Sequence, residues 1–180
     1  VRRPGGSLRL DTWAALALVA AAGCAVDWPV ASRGDQLGPE VTERGPLHRP
    51  GQPCLWCHGG PAPRAQEFLI AGTVYLREAD AEGVGGATVT MTDATGATFA
   101  ATTNAAGNFY VTLGGGGGRG REGLLVVATA PVFPLTVSVA AVGAQSRMRS
   151  KIERDGSCAG CHREPPGAAL VGKVYVEAAP

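Results

Sequence analysis

The chain has 180 residues, 45% hydrophobic and 17% charged, with a formal net charge of +1. That excludes a charged disordered chain, leaves enough apolar material for a core, and shows no strongly basic face of the kind a nucleic-acid partner needs. Aromatics make up only 6% while 27 residues are glycine, about twice the average usage, which favours a turn-rich β protein over a helical bundle. The scarce residues are the telling ones. Of five Cys and three His, four Cys and two His fall into two copies of one five-residue pattern.

Arg2, Arg3 and Arg9 precede an apolar run from Trp13 to Ala22. The run is about ten residues, too short for a bilayer helix but right for the core of a secretory signal. It closes on Ala21-Ala22-Gly23-Cys24, and small residues there mark a cleavage site. The segment resembles the lipobox of bacterial lipoproteins, with Ala21 where that family usually carries Leu. The resemblance implies a signal peptide over 1–23, cleavage before Cys24, and a lipid anchor on Cys24; two or more acyl chains hold a protein stably at a membrane. The protein is then an exported bacterial lipoprotein, periplasmic, outer-membrane or cell-surface. An ordinary secreted chain with a spare Cys is the alternative. A retained transmembrane anchor finds no second apolar stretch of spanning length. Loss of Arg2, Arg3, Arg9 and Asp11 with the signal leaves 13 basic and 14 acidic residues, a net charge of −1. Residues 24–53, rich in Pro, Gly and charge, read as a flexible tether spacing the folded part from the membrane.

The first motif, Cys54-Leu55-Trp56-Cys57-His58, opens a haem-attachment segment over 54–68; the second, Cys158-Ala159-Gly160-Cys161-His162, lies in 143–180. C-x-x-C-H is the attachment pattern of c-type haem. Two Cys three apart present both sulfurs to the two vinyl groups of one haem, and the adjacent His lies under the iron as its proximal ligand. Two covalently bound haem c groups are therefore expected, with His58 and His162 on the irons. A four-cysteine zinc site, a pair of disulfides or a thioredoxin-like pair are the alternatives, and none of them needs either His. For the sixth ligands the candidates are His48, six residues before Cys54, and Met148, ten before Cys158 in an exposed-looking stretch. His48 suits either haem, a haem in a neighbouring chain, or no role beyond an exposed tether. Met91 lies in a strand pattern and reads as core. With one spare His, at least one haem is His/Met, five-coordinate or ligated by a partner.

Between the motifs the chain reads as six strands: Phe68 to Arg77, Ala87 to Thr92, Thr98 to Thr103, Asn108 to Leu113, Leu124 to Ala130 and Phe133 to Val142. Short connections and turn residues argue a sandwich or barrel rather than a parallel sheet. Gly72-x-Val74, Gly86-Ala87-x-Val89-x-Met91, Asp93-x-x-Gly96 and Thr102-Thr103-Asn104-x-x-Gly107-Asn108-Phe109 resemble the carboxypeptidase regulatory-like domain. The resemblance covers 69–142 and implies a transthyretin-like β-sandwich, an accessory module in its parent enzymes; no zinc-peptidase pattern accompanies it. The Gly114–Gly118 run departs from that family and reads as a floppy hairpin tip. It is no phosphate-binding loop, since no Gly-Lys-Ser/Thr follows.

Two features remain. Gly72-Thr73-Val74-Tyr75 after the first motif is echoed by Gly172-Lys173-Val174-Tyr175 after the second. The later strand either closes its own sandwich or pairs with the sheet edge of the next subunit in head-to-tail association; a piece of a longer repeat protein is a further alternative. Arg147, Arg149, Lys151 and Arg154 form a basic cluster that steers an acidic redox partner, offsets haem propionates, or is a solvated face. The whole resembles a dihaem c-type cytochrome lipoprotein with an inserted carboxypeptidase regulatory-like domain. It is expected to be an all-β electron carrier rather than a catalyst, with other cytochromes or redox proteins as partners and no nucleic acid. A dihaem peroxidase or reductase, and a non-redox surface module with a zinc site, are the competing functions.

Overall fold

Strict alternation decides how the strands sit. In Thr88-Val89-Thr90-Met91-Thr92 the two apolar side chains are buried and the threonines are more open, so one face turns inward. The computed structural model describes residues 36–37, 39–40, 42–60, 66–114, 122–163 and 171–177. The expected signal peptide and Cys24 lie outside them, as do most of the expected tether and residues 115–121 of the glycine-rich segment. Among the described residues no helix is long and apolar enough to cross a membrane.

The described residues form an all-β sandwich of two sheets. The strands are β1 (Ile70–Tyr75), β2 (Thr88–Thr92), β3 (Thr98–Thr102), β4 (Asn108–Leu113), β5 (Leu124–Val127), β6 (Thr136–Ala141), β7 (Ala144–Arg147), β8 (Gly156–Ser157) and β9 (Val174–Tyr175). One sheet has the order β5-β4-β1, with β8 and β9 both on β1; the other runs β3-β2-β6-β7. Ile70, Val74, Phe109 and Val111 from the first sheet meet Val89, Met91, Val137 and Val139 from the second in one core. Full burial of each such side chain contributes about 1.5–3 kcal/mol. Met91 is fully buried there.

Three departures from the sequence expectations follow from backbone pairing. First, β5 runs parallel to β4, with Tyr110 opposite Leu124 and Leu113 opposite Val127. A hairpin joins antiparallel strands, so β4 and β5 are not the two arms of a hairpin. Second, the sandwich continues past Val142. Ala141 pairs with Ala144 across a two-residue turn in which Val142 and Gly143 have φ of 51° and 79°. Left-handed φ at both central positions is the type I′ hairpin geometry, usually signalled by Asn-Gly, and a β-branched residue hides that signal. Along β7 and its extension, Ala144, Met148 and Ile152 pack against the core. Arg147, Arg149 and Lys151 alternate with them on the exposed side. Met148 therefore packs with the sandwich, and its backbone N–H donates to Val137 O at 3.0 Å.

Third, β1 is buried at all six positions, although only one of its faces meets the core. Residues 45–53, expected as the end of a tether, lie over its other face. Asn104 Nδ2 donates to Pro46 O at 2.6 Å and Asn108 Nδ2 to His48 O at 3.1 Å. Tyr110 Oη also donates to Pro46 O, and Gly51 N donates to Thr73 Oγ1 at 2.7 Å. Pro53 is fully buried. A run dense in Pro and Gly lacks periodicity, but its main-chain groups are satisfied here by side chains of the sheet.

The Val142 turn generates a prediction. Val142 is 79% exposed, so its side chain is lost to little packing. Val142→Asn should raise stability by about 1 kcal/mol, seen as a melting temperature about 2–4 °C higher. An unchanged or lower value would show that the backbone there carries no strain.

Candidate functional site

Each motif folds as one helical turn, α1 (Leu55–His58) and α2 (Cys158–Cys161). The same bond closes both: His58 N donates to Cys54 O at 2.9 Å, and His162 N to Cys158 O at 2.8 Å. Residues three apart in such a turn are neighbours on its surface.

The two imidazoles are held alike. His58 Nδ1 lies 2.8 Å from Gln66 O, and His162 Nδ1 lies 3.0 Å from Gly172 O. A carbonyl only accepts, so each ring donates through Nδ1–H and keeps Nε2 as its free acceptor. In each case the carbonyl belongs to the chain leading into a strand of the internal echo. Those strands, β1 and β9, pair side by side in parallel, Val74 opposite Val174 and Tyr75 opposite Tyr175. The echo is thus two copies of one device, a motif whose His is steadied by the run-in to a Gly-x-Val-Tyr strand. In this chain β9 takes the intramolecular of the two pairings the sequence left open.

The second motif interrupts an edge strand. β8 pairs with Ile70 and Ala71 at one end of β1, and β9 with Val74 and Tyr75 at the other; α2 bulges out between them. Gly72 faces that gap. A Cβ there would lie 2.7 Å from Cys158 Cβ, 2.9 Å from its Sγ and 3.0 Å from Phe109 Cε1. Only glycine leaves room for Cys158 against the strand. The motifs adjoin: the Arg163 guanidinium sits over the Trp56 ring, 5.1 Å from its centroid.

The thiols are unequal. Burial pushes the Cys54 thiol up to about 11 and the Cys158 thiol up to about 12, the latter helped by the nearby Cys54. Cys161 is exposed, and all four described cysteines are free. Ser157, just before α2, has a buried hydroxyl with no hydrogen-bond partner.

His48 lies beside His58. Their ring centroids are 6.0 Å apart and their planes 26° from parallel. The pair is a stacked arrangement, wider than the 4.6 Å ring contacts beside it. His58 in turn stacks on Phe68 and Phe68 on Tyr110, both at 4.6 Å. Gly45 N–H donates to His48 Nδ1 at 3.3 Å, and the Glu40 carboxylate lies 3.5 Å from the same nitrogen, so His48 Nδ1 is not the carbonyl-tethered donor found in His58 and His162. Burial holds His48 below its ordinary pKa against the pull of Glu40.

The donor chemistry fits haem c: two thiols and one Nδ1-tethered imidazole per turn. It does not fit a shared zinc site. Among the described residues no group of three or more His, Cys, Asp or Glu side chains is placed to hold one metal ion, so the four thiols do not gather as a tetrahedral set. Sequence reasoning missed Thr73, Asn104, Asn108 and Tyr110. Asn104 reads as part of a turn, and Thr73, Asn108 and Tyr110 lie in predicted strands where nothing in the pattern marks a buried polar set. No protein-family model, curated protein or solved structure matches the chain.

Gly72→Ala should cost about 1–3 kcal/mol in chemical denaturation by forcing Cys158 away from β1. Wild-type stability would contradict the close packing of Cys158 on this strand.

Proposed function

We propose that the protein is a dihaem c-type cytochrome that passes single electrons. The observation that carries this reading is the pair of C-x-x-C-H turns in which each His gives its Nδ1 proton to a main-chain carbonyl and keeps Nε2 free. That arrangement fixes the tautomer an axial ligand needs. Haem bound there supplies a ferric/ferrous one-electron couple. Cys54 and Cys57, and Cys158 and Cys161, provide the attachment sulfurs, with His58 and His162 as proximal ligands. His48 is the sixth-ligand candidate at the first site, since it lies next to His58. The contact of Trp56 with Arg163 supports neighbouring haems. The β-sandwich, on this reading a carboxypeptidase regulatory-like module, frames both motifs. Cys24 is the lipid anchor of an exported lipoprotein, and the partners are other redox proteins.

A dihaem peroxidase or reductase is favoured by one observation. The chain has three His, and two of them stand together, so His162 has no imidazole partner within the chain.

Export with haem-maturation machinery should yield red protein that stays haem-stained on a denaturing gel, with two haems per chain and sharp reduced-minus-oxidised bands. Cys57→Ser and Cys161→Ser should each remove roughly half of the haem. Colourless, zinc-bearing protein would overturn the cytochrome reading. Rapid turnover of peroxide or nitrite by the red protein would move it to the enzyme reading.

A further inference from the structure

We infer that the polar face of β1 and β4 is a rack that positions His48 as a ligand for the first site, with Asn108 as its principal positioning residue. The inference rests on the haem reading above. Thr73, Asn104 and Asn108 are 4%, 2% and 1% exposed, burial that polar side chains tolerate only when hydrogen-bonded. Their partners lie in one short stretch of chain. Gly51 N–H donates to Thr73 Oγ1, which donates to Asn108 Oδ1 at 2.6 Å. Asn108 Nδ2 then reaches His48 O at 3.1 Å and Pro46 O at 3.4 Å. Asn104 and Tyr110 converge on Pro46 O as well.

Residues 45–53 thus form a strap held on both sides of His48, at Pro46 and Gly51, and at His48 itself. The sandwich core lies on the other face of β4, where Phe109 and Val111 are buried. What the bonds fix is the place of one imidazole beside His58. Asn104 has a second duty: its Oδ1 accepts from Ala106 N and Asn108 N, both at 3.0 Å, and so shapes the turn entering β4. Asn108 is the cleaner probe, because its amide nitrogen serves the strap alone.

The test uses the full exported chain with its haem attached. Asn108→Ala should retain two haems, but the low-spin signal of the first site should become high-spin by visible and EPR spectroscopy. Added imidazole should restore it. His48→Ala should give the same change, and Asn108→Ala in that background should add nothing. Hydrogen exchange at the Gly51 amide should rise in Asn108→Ala. Tyr110→Phe, which removes one bond to Pro46 and keeps the ring stack, should give a smaller shift of the same kind if Asn108→Ala does not fold.

Two haems with an unchanged spin state, alongside faster exchange at Gly51, would show that the rack holds the strap without positioning a ligand. That would overturn this inference and leave the cytochrome reading standing. Absence of haem from the wild-type chain would overturn both.

Discussion

The hydrogen bonding of one strand governs the rest of the structure. β1 is paired on one side by β4 and on the other by β8 and β9, and its outer face is roofed by residues 45–53. Buried main-chain groups must be paired, so whatever lies beside β1 is held closely. The first motif is tied to the approach to this strand, with Phe68 N donating to His58 O at 2.8 Å. The second motif fills the break in the strand beside it. Two segments about a hundred residues apart in the chain become neighbours because both answer to β1.

The polar roof explains why a face of a small sandwich can be dry and yet carry threonine and asparagine. A sheet with one face in water shows apolar and polar residues in turn, and β2 does so. β4 has the same pattern, yet its polar set is buried. The difference is chain, not water: Asn108 and Tyr110 are covered by the strap, and Thr112 Oγ1 donates to Glu67 O at 2.8 Å. On the proposed reading the two sites are then unlike. His58 has an imidazole neighbour held by the rack, and His162 has none within the chain. Axial ligation is one of the levers that set an iron's potential, so unlike sites imply two distinct couples.

Much of this was legible from residues alone. The core strands follow from alternation, as at Val89 and Met91, and the two motifs are visible as spacing. What stayed hidden depended on contacts rather than patterns. Residues 45–53 have no periodicity, and their order comes from side chains about 60 residues later. The Val142-Gly143 turn lacks the usual Asn, so nothing in the pattern marks β7 or the packing of Met148 against the core. The parallel pairing of β5 requires knowing which neighbour it chooses. The role of Gly72 emerges only with Cys158 against it, whereas the echo of Gly72 to Tyr75 in Gly172 to Tyr175 already hinted that the two stretches share a task.

The most direct measurement is peptide mass spectrometry of the chain exported in a host equipped for haem c attachment. The peptides containing Cys54 and Cys57, and Cys158 and Cys161, should each carry the mass of one haem through two thioether bonds. Both peptides with unmodified or disulfide-linked thiols, in cells that attach haem to a control cytochrome, would contradict the assignment of these motifs.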